Sequence, residues 1–334
     1  MKKIRILTID GGGIRGIIPA VILDSIEKLL QIKTGNPNAM IADYFDMIAG
    51  TSTGGILTTL LILPDNEDKT KGRYFASQAV DLYKKHGKHI FKKRLPLMSK
   101  IFGSIYSEKG LEEVLNEKIG DVKLSEVRKH CLITAYDINS RNAVFFTSPI
   151  KYDNRNYYMR DIARATSAAP TYFPPAKIES LSKKYAYLID GGIYANDPTM
   201  SAIMEARKMN FQNYGHPDFR DMYIVSIGTG KQLQSYDYEK AKKWGTIGWA
   251  APVIDMMLSS SAEVVSYQVK KLFEAINRSS SYVRIEPDLC NANSDLDDAS
   301  DKNVTSLEQA GLNYVNANID LLDKIVDELL KSKL

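Results

Sequence analysis

The chain has 334 residues, of which 44% are hydrophobic, and this suits one large α/β domain or two smaller ones. Its 44 basic and 40 acidic residues leave a net charge of +4, too small to indicate a partner that is a nucleic-acid polymer. The two cysteines, Cys131 and Cys290, are too few for a disulfide framework or a thiolate metal site. They fit a reducing cytoplasm, where we expect the protein to reside.

The first predicted strand, residues 4–9, is followed by Asp10-Gly11-Gly12-Gly13-Ile14-Arg15-Gly16 and by an apolar helix over residues 17–32. A glycine turn between a strand and a helix points consecutive backbone N–H groups at an anion. Gly11-x-Gly13-x-x-Gly16 also matches the fingerprint of dinucleotide-binding domains. That alternative requires an acidic residue after the second strand, where this chain has Gly50-Thr51-Ser52 instead.

The second strand and helix, residues 45–49 and 56–63, are joined by Gly50-Thr51-Ser52-Thr53-Gly54, which reads G-x-S-x-G. A strand that turns into a helix at Ser52 strains the serine backbone, and the flanking glycines remove Cβ atoms that would collide. Ser52 would then stand at a helix N-terminus, where N–H groups stabilise a developing oxyanion. An ordinary tight turn is the alternative, because such short patterns are common. The strand–turn–helix context favours a nucleophilic serine.

Two further stretches bear on membrane contact. Residues 47–63 approach the roughly 18 apolar residues of a membrane span, but the turn at Ser52 favours a buried strand and helix. Residues 84–106 contain seven Lys or Arg residues, bulky apolar side chains and no acidic residue. This basic segment could lie on an anionic membrane surface as a cap beside the site. It could equally be a solvated helix followed by a loop that packs on the core.

Strand and helix patterns alternate along the rest of the chain. We predict strands at residues 131–136, 143–147, 187–189, 223–227 and 281–285, and helices at residues 108–118, 161–167, 198–209, 255–276 and 304–330. Residues 295–301 hold four aspartates but lack the glycine and glutamate of a calcium loop, so we assign them to the cap of the last helix. The alternation predicts an α/β fold with a largely parallel central sheet and helices on both faces.

A serine hydroxyl becomes a nucleophile only when a neighbouring base accepts its proton, and histidine is the usual base. None of the four histidines follows a strand where a hydrolase histidine would be delivered: His86, His89, His130 and His216. Asp190 directly follows the strand at residues 187–189 and precedes Gly191 and Gly192. It is the candidate base, although Asp-Gly is also common in plain turns.

These three stretches together resemble the patatin-like phospholipase family. The loop at residues 10–16, the elbow at residues 50–54 and Asp190-Gly191-Gly192 occur in the family's order. Residues 165–175, 226–230 and 296–300 are also similar to family segments, so the resemblance extends over residues 4–330 as one domain. It implies a lipid acyl hydrolase that cleaves fatty-acyl esters of membrane phospholipids, with a nucleophile elbow like that of α/β-hydrolases. Ser52 would be the nucleophile, forming an acyl-enzyme, and Asp190 the base.

The resemblance also implies roles for the neighbouring residues. The oxyanion-hole loop would comprise Gly11, Gly12, Gly13, Arg15 and Gly16. The nucleophile elbow would comprise Gly50, Thr51, Thr53 and Gly54 around Ser52. The motif that carries the base would include Gly191 and Gly192. The N–H groups of Gly12 and Gly13, with that of Thr53, would bind the oxyanion, and Arg15 would organise the loop. The family's mechanism is calcium-independent, so no metal and no other cofactor is expected.

Alternatives to the hydrolase stay open. An acyltransferase would use the same elbow and transfer the acyl group to an acceptor other than water. A nucleotide-binding domain would bind its ligand with the loop at residues 11–16. A binding module without catalytic activity would use neither the elbow nor the loop for a reaction. The expected partner is membrane phospholipid, met at the inner membrane surface through residues 84–106. Stand-alone bacterial patatins include antiviral-defence effectors that cyclic nucleotides switch on, so the resemblance also raises a cyclic-nucleotide activator.

Overall fold

The computed structural model describes residues 3–94, 103–150, 153–211, 214–231 and 235–331. Its strands are Ile4–Ile9 (β1), Met47–Gly50 (β2), His130–Asp137 (β3), Asn142–Thr147 (β4), Ala176–Glu179 (β5), Tyr185–Asp190 (β6), Met222–Ile227 (β7) and Tyr282–Ile285 (β8). Its helices are Ile17–Thr34 (α1), Thr53–Ile62 (α2), Ala76–Ile90 (α3), Glu108–Ile119 (α4), Met159–Thr166 (α5), Gly192–Ala195 (α6), Thr199–Lys208 (α7), Tyr238–Ala241 (α8), Thr246–Ala275 (α9), Asp301–Ala317 (α10) and Ile319–Leu330 (α11).

All eight strands belong to one sheet, whose main path runs β5-β6-β3-β2-β1-β7-β8. The pairs from β3 to β8 along this path are parallel, and β4, β5 and β6 pair antiparallel. The central strand β1 is buried throughout, because helices cover both of its faces. Ile4 and Ile6 pack with α7 and α9, whereas Leu7 and Ile9 pack with α1 and α2. The predicted α/β fold with a largely parallel sheet is confirmed.

Two strands meet end to end against β3. β2 runs parallel to β3 and pairs with residues 130–133, and β6 runs antiparallel and pairs with residues 135–137. β4 occupies the opposite side of β3 over residues 132–137, so β2 and β6 lie on the same side. Their last residues, Gly50 and Asp190, lie opposite Ile133 and Ala135. The chain that leaves β2 therefore emerges beside the end of β6.

Among the differences between the predicted and the observed elements, three concern β5, α9 and the end of the chain. β5, which was not predicted, is short, half exposed and preceded by two prolines. α9 begins at Thr246 rather than at residue 255, because the helix continues through Pro252 although proline usually ends one. The predicted last helix is two helices that break at Asn318.

The apolar stretch at residues 47–63 divides into β2 and α2, which are buried along their whole length. In the part of the chain that the structure describes, no helix combines the length and apolar character needed to cross a membrane. The basic segment at residues 84–106 covers the end of α3 and the residues after it, and its residues 95–102 lie outside the described residues.

Candidate active site

Ser52 is the second of the two residues between β2 and α2 and directly precedes the helix, with backbone angles φ 55° and ψ −122°. A positive φ is rare for residues other than glycine and marks stored backbone strain. The turn is so tight that a Cβ atom on Gly50 would lie 2.1 Å from the carbonyl oxygen of Gly54. A Cβ atom on Gly54 would lie 2.1 Å from the carbonyl oxygen of Ile9. Only glycine fits at either position, which is the physical reason for the G-x-S-x-G spacing.

The two threonines of the elbow fix the turn to its surroundings. Thr51 Oγ1 lies 2.8 Å from Thr134 Oγ1 of β3 and donates to the carbonyl oxygen of Ala195 at 2.7 Å. Thr53 Oγ1 lies 2.5 Å from the hydroxyl oxygen of Tyr83, which projects from α3. All four side chains are buried. The position of the serine is therefore held by hydrogen bonds to separate elements, as a preorganised nucleophile requires.

Asp190, the last residue of β6, is only 2% exposed. Its carboxylate accepts hydrogen bonds from the Ser52 side chain and, at 2.7 Å, from the backbone N–H of Gly192. Burial disfavours the charged carboxylate and raises the pKa of Asp190 to about 7, although the two hydrogen bonds act in the opposite direction. Gly191 packs against Thr134. The serine thus has a partner whose proton affinity suits general base catalysis near neutral pH.

Three backbone N–H groups around Ser52 are free to bind an anion. Within the described residues, the N–H groups of Gly12, Gly13 and Thr53 donate no hydrogen bond. Gly13 and Thr53 are the first residues of helical turns, so their N–H groups have no acceptor within the helix. The N–H of Ser52 itself is occupied, because it donates to Thr166 Oγ1 at 2.9 Å. Gly12, Gly13 and Thr53 line one cavity together with Ser52. This arrangement can stabilise an oxyanion.

The glycine loop is held in place by three distant segments. The N–H of Gly11 donates to the carbonyl oxygen of Asn196 at 3.1 Å, and the carbonyl oxygen of Gly11 accepts from Thr229 Oγ1 at 2.8 Å. The N–H of Ile14 donates to the carbonyl oxygen of Leu296 at 2.9 Å. Leu296 belongs to the aspartate-rich stretch that was predicted only as a helix cap. Its contact with the loop was missed, because no local pattern signals it.

Arg15 and Gly16 support the loop from behind. Arg15 is buried, its Nε donates to the carbonyl oxygen of Gly12 at 3.4 Å, and it does not line the cavity. Burial lowers the pKa of the Arg15 guanidinium. Gly16 lies directly against the side chains of Thr53 and Tyr83. Loop and elbow therefore form one packed unit, and the role of Arg15 in organising the loop stays a prediction.

The cavity beside Ser52 and Asp190 has a volume of about 60 Å³. Most of its wall is apolar and comes from residues that the sequence analysis did not assign to the site: Ile14, Ile56, Leu82, Tyr83, Ile90, Phe91, Leu111, Ala169, Tyr172, Phe173, Leu258 and Leu296. Ser167 also lines the cavity, and its hydroxyl has no hydrogen-bond partner in the described part of the chain. For the wall residues that lie in helices the only sequence signal was helical periodicity, which ordinary core residues share.

The catalytic base predicted from the sequence is not a histidine. None of the four histidines lines the cavity, and His89 instead pairs with Glu113 at 2.8 Å. Among the described residues, no three or more His, Cys, Asp or Glu side chains form a group that could hold a metal ion. Cys131 and Cys290 are both free thiols. The groups positioned to act on a substrate are the serine, the aspartate and the backbone N–H donors.

Comparisons with known proteins agree with this geometry. A family model described as patatin-like phospholipase matches residues 7–203. The chain is 35% identical to patatin-like protein 2 of Oryza sativa subsp. indica, over 97% of the chain and 86% of the rice protein. It is 34% identical to patatin-04/09 of Solanum tuberosum, over 93% and 83%. Human GIVD cytosolic phospholipase A2 shares the fold, with a TM-score of 0.51 and 10% identity over 99% of this chain and 60% of that structure. The chain therefore belongs to the patatin-like phospholipase family.

Proposed function

We propose that the protein is a lipid acyl hydrolase that cleaves fatty-acyl esters of membrane phospholipids with a Ser52–Asp190 dyad. The observation that carries this proposal is the hydrogen bond from Ser52 to Asp190, a buried carboxylate with its pKa raised to about 7. Membership of the family supports lipid acyl hydrolysis as the class of reaction. The apolar wall of the cavity supports a fatty-acyl group as the part of the substrate that is bound.

The proposed reaction has two halves. Ser52 Oγ attacks the ester carbonyl carbon while Asp190 takes the hydroxyl proton, and the oxyanion binds the N–H groups of Gly12, Gly13 and Thr53. The tetrahedral intermediate collapses, and the departing lipid alkoxide receives the proton from Asp190. Water then attacks the acyl-enzyme, gives a proton to Asp190 and releases the fatty acid as Ser52 Oγ is reprotonated. Each well-placed oxyanion donor is worth about 3–4 kcal/mol in such a transition state.

The proposal is tested by treating phosphatidylcholine and phosphatidylglycerol vesicles with the protein and analysing the lipids by mass spectrometry. We expect free fatty acid and lysophospholipid, and labelling of the Ser52 peptide by a fluorophosphonate. Acyl transfer to an added alcohol in preference to water would identify a transferase instead, and absence of both turnover and labelling would identify an idle module. Parallel samples with cyclic nucleotides test the proposed activator and, with it, a role in antiviral defence.

The rate is expected to depend on pH through Asp190, which must be deprotonated to act as a base. For a soluble short-chain ester, kcat/KM should fall about tenfold per pH unit below pH 7, since the pKa of Asp190 is raised to about 7. An aspartate with an ordinary pKa would keep its activity down to about pH 4. The measurement is kcat/KM between about pH 5 and pH 9 at constant ionic strength.

Histidine would titrate in a similar range, so the control is a set of four single His→Gln variants, at His86, His89, His130 and His216. Each is expected to keep most of the activity and the same acid limb. A folded histidine variant without activity would contradict the dyad, and so would a wild-type rate that stays constant from pH 5 to pH 8.

A further inference from the structure

Helix α9 carries an apolar stripe on its solvent side. Five large side chains form it, each between 37% and 63% exposed: Trp249, Val253, Met257, Val264 and Tyr267. Their spacings of four, four, seven and three residues put them on one face of the 30-residue helix. A contiguous exposed apolar surface of this kind marks a site of interaction rather than ordinary surface composition.

The opposite face of α9 belongs to the active site. Leu258, next to Met257 in the chain, lines the cavity that holds Ser52 and Asp190, and it packs directly against Gly192. One helix, about 10 Å across, is therefore all that separates the apolar stripe from the catalytic cavity at this wall. Whatever binds the stripe lies one helix away from the dyad.

Aromatic and basic side chains border the N-terminal end of the stripe. The rings of Tyr236, Trp244 and Trp249 pack edge to face in succession, with centroids 5.5 Å and 4.9 Å apart. Tyrosine and tryptophan are the side chains that favour the boundary between lipid and water.

The short helix α8 and the turn directly after it carry three exposed lysines beside these rings, called here the lysines of α8: Lys240, Lys242 and Lys243. They make no ion pair with any described residue, although Glu239 and Asp237 lie in the same stretch and the Asp237 side chain caps α8. In the basic segment, by contrast, Lys84 pairs with Glu308 and Arg94 with Glu108. Lysines without an ion pair attract the anionic head groups of a bilayer.

We propose that the stripe on α9, with the lysines of α8, docks on an anionic phospholipid bilayer and presents lipid to the cavity behind the helix. This inference rests on the proposed hydrolase function, because it identifies where that enzyme meets its substrate. The cavity volume of about 60 Å³ is less than half of the roughly 150 Å³ that accommodates benzene in an engineered protein. A whole fatty-acyl chain does not fit in this volume, and docking through α9 brings the bilayer to one wall of the cavity.

Tryptophan fluorescence tests the docking directly, because the only two tryptophans of the chain, Trp244 and Trp249, both lie at this surface. The variant Ser52→Ala with Trp244→Phe leaves Trp249 as the single reporter and prevents hydrolysis. On vesicles of phosphatidylcholine and phosphatidylglycerol we expect a blue shift, and quenching by lipids brominated on the acyl chain. Vesicle binding by co-sedimentation without either change would overturn the proposal.

A matched pair of triple variants tests the consequence for turnover. The α9 triple variant carries Trp249→Ser, Val253→Ser and Met257→Ser. We expect it to bind and hydrolyse vesicles at least tenfold more weakly than wild type. It should cleave a soluble short-chain ester at the wild-type rate. The control carries Ile32→Ser, Met204→Ser and Ile319→Ser, which remove three side chains between 44% and 75% exposed elsewhere on the surface. It should match wild type on both substrates.

The outcomes distinguish failure of the proposed docking surface from failure of the proposed hydrolase function. If wild type fails to cleave the soluble ester, the proposed function fails. If the α9 triple variant cleaves vesicles as wild type does, the docking surface is wrong and the function stands. If only a variant with Lys92→Glu and Lys93→Glu loses vesicle binding, then the basic segment contacts the membrane instead of the stripe, and the proposal is overturned. A dimer of wild type that the α9 variant abolishes in sedimentation analysis would make the stripe an interface between copies, and would also overturn the proposal.

Discussion

Replacing Ser52 with alanine is expected to abolish ester hydrolysis and fluorophosphonate labelling and to leave the fold intact. The variant removes one oxygen atom, whereas the hydrogen bond from its backbone N–H to Thr166 and the packing of Gly50 and Gly54 stay in place. Loss of a serine nucleophile from an enzyme of this type lowers the rate by about 10⁴-fold or more. The rate should be measured on vesicles and on a soluble ester, with thermal unfolding to establish folding.

Ser167 provides the matched control, because its buried hydroxyl lines the same cavity and has no partner among the described residues. Ser167→Ala should keep the label and most of the activity, since the residue does not contact Asp190 as Ser52 does. If Ser52→Ala still turns over, or if Ser167→Ala is as inactive as Ser52→Ala, then the nucleophile has been assigned to the wrong residue.

Asp190→Asn is expected to lower the rate by several orders of magnitude and, at pH 8, to stabilise the fold. The amide keeps the shape of the side chain but cannot accept the proton of Ser52. Because the pKa of Asp190 is raised from 3.8 to about 7 on folding, the folded state holds a proton that the unfolded state releases between these values. Wild type therefore loses stability as pH rises from about 4 to 7, and the asparagine variant avoids that loss.

The gain should be largest above pH 7 and should vanish below about pH 4, where the carboxyl group is protonated in both states. Each pKa unit corresponds to about 1.4 kcal/mol, so a gain of a few kcal/mol is the upper bound. Urea unfolding at about pH 5 and pH 8 measures it.

The control for this gain is Asp197→Asn, which alters another buried aspartate. Asp197 pairs with Arg284 at 3.4 Å and accepts from the N–H of Thr199 at 2.8 Å. No gain in stability at pH 8 is expected from it, because the change removes one of the three carboxylates that pair with Arg284, the others being Asp10 and Glu286. An Asp190→Asn variant that is active, or that is less stable than wild type at pH 8, would contradict the assigned role of Asp190.

Local sequence patterns predicted the parts of the fold that local forces decide. β1 was predicted at its observed bounds, because a short, mostly apolar run that is followed by Asp10 and three glycines favours a buried strand. The elbow was predicted for the same kind of reason, since the collisions that select Gly50 and Gly54 arise within or next to the turn. Ser300 was predicted near the cap of the last helical region, and its side chain does accept from the N–H of Asn303.

The patterns could not predict what depends on distant contacts. The strand before Asp190 was recognised, but its antiparallel course along β3 has no signature in residues 187–189 themselves. The carbonyl oxygen of Leu296 holds the glycine loop from the far end of the chain, and periodicity carries no information about such a contact. Pro252 misled the prediction of α9, because tertiary packing retained a helix that the local preference of proline opposes.

The end-to-end meeting of β2 and β6 has a consequence for the life of the protein in a cell. The serine and the aspartate become neighbours only after Gly50 and Asp190 have both docked on β3, which joins segments far apart in the chain. Pairings of that kind form slowly, because the intervening chain must first be ordered. A nascent or damaged copy therefore carries both residues without the hydrogen bond between them. If the two residues act as the proposed dyad, activity should therefore appear only when folding is complete.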